Sequence, residues 1–144
     1  MNHQQQAIQF REIYGQPILS RCFDRTIKGL KQDLDYKTLD MQLGCITEES
    51  RELVEAVAEW RSSYKGEESA ALAAKAHMLK ELADLAYVCF QLAAFLGIDL
   101  DEALDRVHQS NMSKLDEDGA PIFNEEGKVM KGPNYKEPDL LDLV

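Results

Sequence analysis

Three cysteines occur in 144 residues, Cys22, Cys45 and Cys89, and no two of them stand in a CxxC spacing. That leaves no basis for a disulfide framework or a thiolate metal site, and Cys45 and Cys89, set in apolar periodic segments, read as small core residues. Basic charge is also short, with 16 Lys and Arg against 26 Asp and Glu for a formal net charge of −10. A nucleic-acid backbone is a poor partner for such a chain, because phosphate binding needs clustered cations. A phosphorylated small molecule is still open, since carboxylates hold phosphates through divalent ions. The opening "MNHQQQAIQF" has no basic segment followed by an apolar run, so no signal peptide is expected. The longest apolar run is broken by Lys80, Glu81, Asp84 and Gln91, which argues against an ordinary membrane span. A reducing cytoplasmic setting is therefore expected. Proline and glycine are scarce before residue 115 and frequent after it.

What is present is helical periodicity on a length suited to one domain, residues 1–144. A first helix is expected from about Gln4 to Tyr14, ending at "YGQP". Ile18 to Asp35 is ambiguous, with helical pieces around Leu19 to Leu30. A second helix, about Leu39 to Ser62, repeats apolar residues at Leu43, Ile46, Leu53, Val57 and Trp60, with Ala56 on the same side. A third, about Ser69 to Leu96, is apolar nearly all round and should be the most buried, with Gly97 as its C-terminal cap. A fourth begins at Asp99, whose side chain should cap it while Glu102 completes a capping box. Beyond Leu115, turn signals at Asp118-Gly119 and in "NEEG" predict a small hairpin or ordered coil. The expected fold is all-α: three to four main helices, with a structured tail over residues 115–144.

Some carboxylates break these patterns. Glu48, Glu52, Glu55 and Glu59 form one stripe, ordinary for a solvated face. Glu49 instead interrupts the apolar row Leu43, Ile46, Leu53, Ala56, Trp60, with Glu52 one turn away. Glu81 and Asp84 share a face of the third helix among Leu, Ala, Val, Phe and Cys. Lys80 points away from that face and should relieve it only in part. Buried unpaired carboxylates cost several kcal/mol or protonate. With the two helices antiparallel, Glu49, Glu52, Glu81 and Asp84 can converge on a hard divalent cation, Mg²⁺ or Mn²⁺. Salt bridges to Arg51, Lys80 or a second subunit are the structural alternative. The Glu-x-x-His pattern of di-iron bundles is missing, and His77 and His108 lack metal-ligand spacing. Trp60, on the apolar face, reads as core or interface.

Glu49-x-x-Glu52 followed by Glu81-x-x-Asp84 resembles the signature of the all-α nucleoside triphosphate pyrophosphatases. That superfamily includes MazG, the dimeric dUTPases and phosphoribosyl-ATP pyrophosphohydrolase. "EESRELVEA" resembles its first metal helix, "KELADLAYV" its second, and "EALDRVHQSNMSKL" the helix that follows. "FREIYGQP" and "GKVMKGPNYKEPDL" resemble a phage and bacterial subgroup of MazG-like or phosphoribosyl-ATP-pyrophosphohydrolase-like proteins. The resemblance implies Mg²⁺-dependent hydrolysis of an NTP or dNTP to a monophosphate and pyrophosphate. Glu49, Glu52, Glu81 and Asp84 would be the metal ligands. Glu48 is either a surface glutamate or the group that activates the attacking water. Asn111 and Lys114 would reach phosphate or sugar, and Lys131 and Tyr135 would belong to a flap closing on phosphate or base.

A helix as apolar as the third points to a homodimer or homotetramer, and the family assembles likewise. A purine preference such as dGTP follows from the subgroup only. Phosphoribosyl-ATP pyrophosphohydrolase is an alternative within the same chemistry, made less favoured by the tail and by the lack of an attached cyclohydrolase segment. A non-enzymatic, metal-binding helical oligomerisation module is the alternative outside it.

Overall fold

The computed structural model describes residues 1–19 and 34–144, so the helical pieces expected around Leu19 to Leu30 lie almost wholly outside the described residues, as does Cys22. The described residues form four α-helices and no strand. They divide into two compact units, Met1–Gly97 and Ile98–Val144.

In the first unit, α1 spans His3–Ile13. Asn2 caps it through its own side chain, and Gln5 answers with a bond to the Asn2 backbone, so a complete capping box starts the helix. α2 spans Tyr36–Ser63, beginning three residues earlier than the apolar pattern suggests because Asp35 accepts from Thr38 N and caps that turn. α3 spans Glu68–Leu96 and ends on Gly97 in the left-handed conformation (φ 69°), as expected for its cap. α2 packs along α3, and α1 packs on α3. The link between α2 and α3 is four residues long, Tyr64 to Glu67, and it turns the chain back on itself.

Burial on α3 is uneven. Phe90, Ala93, Ala94 and Phe95 are buried at its C-terminal end, where α1 lies. Arg11 of α1 is fully enclosed there. Its Nε donates to the Pro17 carbonyl at 2.9 Å, its Nη1 reaches the Gln91 carbonyl, and its guanidinium carbon stands 5.3 Å from the Phe95 ring centroid. Burial pulls the Arg11 pKa below its ordinary value. Toward its N-terminal end, α3 leaves Leu72, Leu79 and Leu82 exposed, and α2 does the same with Leu43, Val54 and Val57. α3 is thus the central helix, as expected, packed by both α1 and α2 and holding the most buried residues, while part of its apolar surface stays exposed in a single chain. Its apolar circumference exceeds what α1 and α2 alone can cover.

In the second unit, α4 spans Leu100–Met112. Asp99 caps it by accepting from Glu102 N, but the expected reciprocal half is not made: the Glu102 carboxylate accepts from Arg106 Nε at 2.8 Å. After Ser113 the chain forms two copies of one loop. Asp116 Oδ1 accepts from the N–H groups of Asp118 and Ala120, and Asn124 Oδ1 from those of Glu126 and Lys128. Each loop turns through a glycine at positive φ, Gly119 at 78° and Gly127 at 81°, where a side chain would be strained. Isolated antiparallel bridges at Leu115–Pro121 and Phe123–Val129 make this the ordered coil, not a hairpin of strands. The tail then returns along α4: Ser110 Oγ donates to the Lys136 carbonyl, Lys136 N donates to Ser113 Oγ, and Arg106 pairs with Asp142 within the short 3-10 helix Leu141–Leu143.

Candidate metal site on the α2–α3 pair

α2 carries Glu49 and Glu52 three residues apart, so both project from one side, and α3 carries Glu81 and Asp84 in the same spacing. The antiparallel packing sets these segments against each other. One carboxylate oxygen from each of Glu49, Glu52 and Glu81 falls within a group whose members all lie within 4.8 Å of one another. Glu81 is buried, while Glu49 and Glu52 are half-buried.

Three carboxylates that close repel one another. Burial pushes the Glu49 carboxyl above its ordinary value, and the charges of Asp84, Glu52 and Glu81 push it the same way, against the pull of Lys80. Oε2 of Glu49 and Oε2 of Glu81 are buried without a hydrogen-bond partner. Buried acceptors of this kind are ordinarily satisfied. Oxygen ligands, negative charge and unmet acceptors fit a hard divalent cation, and the donor set matches Mg²⁺ or Mn²⁺.

Lys80 relieves the site more fully than its position suggests. Its Nζ lies 3.0 Å from Glu81 Oε1 and 2.9 Å from Asp84 Oδ2. The hydrogen bond to Asp84, then that to Glu81, hold its pKa above the usual lysine value. Asp84 is thereby tied to Lys80, yet near enough to Glu49 to contribute to raising it. On the other side, Arg51 binds Glu55 at 2.9 Å and reaches Glu52 at 3.8 Å. Of the Glu48, Glu52, Glu55, Glu59 stripe, Glu48 and Glu55 are exposed as expected, whereas Glu52 turns to the cluster.

One participant was not expected. His77, set aside for want of metal-ligand spacing, stands one turn before Glu81 with Nε2 3.0 Å from Glu81 Oε1. Its Nδ1 lies 3.1 Å from Oε2 of Glu59 on α2. The i, i+4 separation from Glu81 was the available signal; the approach of Glu59 needed the packed helices. Trp60, half-buried, packs edge-on to Tyr64 with centroids 5.4 Å apart. With Arg61, Ser62 and Lys65 these two line an open cavity of about 370 Å³ at the end of α2.

The other expected site residues belong to the second unit. Asn111 is exposed on the last turn of α4, and Lys114 is half-buried just beyond it. Lys131 Nζ lies 4.2 Å from the centroid of the Tyr135 ring. Hydrogen bonding with Ser110 first, then Lys131, lowers the Tyr135 pKa from its ordinary value.

Comparison with known proteins yields one family. The model of phosphoribosyl-ATP pyrophosphohydrolase matches residues 19–111 of the 144. The matched span holds all four carboxylates and ends on Asn111, so Lys114, Lys131 and Tyr135 lie beyond it. None of the curated proteins matches the chain.

Proposed function

The chain belongs to the phosphoribosyl-ATP pyrophosphohydrolase family, within the all-α nucleoside triphosphate pyrophosphatases, and we propose that it hydrolyses the α–β phosphoanhydride of a nucleotide triphosphate with Mg²⁺ as cofactor. Water attacks the α phosphorus, the bond to the bridging oxygen breaks, and a monophosphate and pyrophosphate leave. The observation that carries this is the approach of Glu49, Glu52 and Glu81 to within 4.8 Å, with a buried, partnerless oxygen on two of them.

Glu49, Glu52 and Glu81 would hold the cation, Mg²⁺ or Mn²⁺, with Asp84 joining them when released by Lys80. Once bound, it neutralises the triphosphate and the developing charge on the leaving pyrophosphate. Glu48, adjacent to Glu49 and exposed, takes the proton of the attacking water. Asn111 and Lys114, one turn apart, are assigned phosphate and sugar contacts, and Lys131 with Tyr135 contacts to phosphate or base. These four assignments rest on sequence resemblance.

The family match favours phosphoribosyl-ATP as the substrate, above a free NTP or dNTP. A purine dNTP such as dGTP is the second reading, favoured by the tail segment "KGPNYK" that lies beyond the matched span. We assign a homodimer or homotetramer as the working form, supported by the exposed leucines of α3 and valines of α2. Pyrophosphate release with Mg²⁺ from phosphoribosyl-ATP, ATP, dATP, dGTP and dUTP tests the proposal. Turnover of phosphoribosyl-ATP above all others supports the first reading, and turnover of dGTP alone the second. No release from any of them returns the protein to a non-enzymatic metal-binding module.

A further inference from the structure

Glu81 is the most enclosed carboxylate of the cluster, its side chain only 4% exposed. Its two oxygens are treated differently. Oε1 lies 3.0 Å from Lys80 Nζ and 3.0 Å from His77 Nε2, while Oε2 is buried with no hydrogen-bond partner. Lys80 donates a hydrogen bond to Oε1 and the His77 ring stands in ion-pair contact with the same oxygen, which orients the carboxylate and leaves the other oxygen for a cation. The two contacts are not equivalent. Lys80 is adjacent in sequence, on a long flexible stem, and divides itself between Glu81 and Asp84. His77 is a rigid ring on the preceding turn, and Glu59 holds its far nitrogen from the neighbouring helix at 3.1 Å.

The geometry points to His77 as a positioning residue for Glu81, steered in turn by Glu59. It sets the orientation in which Glu81 meets a divalent cation together with Glu49 and Glu52. This rests on the metal-site reading of the carboxylate cluster. A role in stability alone fits the exposures poorly. The His77 and Glu59 side chains are 51% and 60% exposed, and contacts between exposed charged groups contribute little to folding. The acceptor they serve is nearly inaccessible. Hydrogen-bond partners behind a metal ligand matter for affinity, and losing one costs about 10- to 100-fold in metal binding or activity.

The test is titration of the full-length protein with Mn²⁺ alone, followed by electron paramagnetic resonance, with melting temperatures recorded in chelator. His77→Ala should weaken Mn²⁺ binding by roughly 10- to 100-fold while its chelator-treated melting temperature stays near wild type. His77→Gln, which keeps an N–H donor at similar reach, should recover most of the loss. Glu59→Gln should fall between wild type and His77→Ala, and His108→Ala, outside the site, should bind as wild type does. Equal Mn²⁺ affinity in wild type and His77→Ala overturns the positioning role and leaves the metal reading standing. Failure of the wild type to bind Mn²⁺ overturns both. If His77→Ala and His77→Gln lose melting temperature and affinity together, His77 is a packing residue and the proposal falls.

Discussion

A Cβ on Gly132 would lie 1.9 Å from the carbonyl oxygen of Leu115 and 2.6 Å from its carbon. The tail thus crosses the end of the α4 segment at a separation that only glycine permits, one residue from Lys131 and three from Tyr135. The obstructing atoms are backbone, so neither strand of chain can yield by a rotamer change.

Gly132→Ala should therefore displace the tail at a cost of ~1–3 kcal/mol, the range for forced overpacking. Proteolysis within residues 128–138 should accelerate, while the circular dichroism of the helices is retained. If Lys131 and Tyr135 serve the substrate, KM rises more than kcat falls. Unchanged proteolysis and kinetics would show that the backbone accommodates the methyl group.

Glu52→Gln and Asp84→Asn each remove one negative oxygen from the cluster while preserving shape. Turnover should fall by roughly 100-fold or more, the scale for losing one electrostatic contributor at a reacting centre. The helical signal should be unaltered. Near-normal rates in either variant would remove that residue from the site.

Glu49 gives a pH dependence with a definite sign. Its folded-state pKa is raised, so the folded protein binds more protons than the unfolded chain as pH climbs through and above the ordinary carboxylate range. This group's contribution is thus fully present below its unfolded pKa and is lost as pH rises through the folded value. With chelator present, Glu49→Gln should be more stable than wild type at pH 8, and the gap should close toward pH 4. Thermal melts across that range check it, and a gap that is constant with pH would contradict it. Saturating Mg²⁺ should reverse the order at pH 8, because the wild type then has a ligand the variant lacks.

Leu79 is 62% exposed on α3 and Leu82 49% exposed one turn on. Leu79→Glu should shift the protein from oligomer to monomer in light scattering coupled to size exclusion, since a charge in an apolar interface goes unpaired. A wild type that is already monomeric at micromolar concentration would sink the assembly.

The helices were legible from local pattern, and their ends followed the caps to within a few residues. Capping and periodicity are settled within four or five positions, which is why Asp35, Gly97 and Asp99 mark real boundaries. The same locality misled at Glu102, where a capping box matched by spacing lost its second half to Arg106, and Arg106 in turn reaches Asp142. α3 is the central, most buried helix, as its apolar circumference indicates, yet part of that circumference stays exposed. An apolar circumference shows that a helix wants cover, but which neighbours supply it depends on packing.

By itself the order of residues determined the helices found among the described residues, two carboxylate pairs at helical spacing and the turns of the tail, all of them consequences of short-range geometry. The convergence of Glu49, Glu52 and Glu81 required α2 and α3 to pack in one register, and the link Glu59–His77–Glu81 crosses between those helices. Lys80 was seen in the sequence as a partial counter-charge, yet its hold on both Glu81 and Asp84 depends on a side-chain path that spacing does not encode. Those relations belong to the folded chain, because a distance across two helices is set by the contacts of every residue between them.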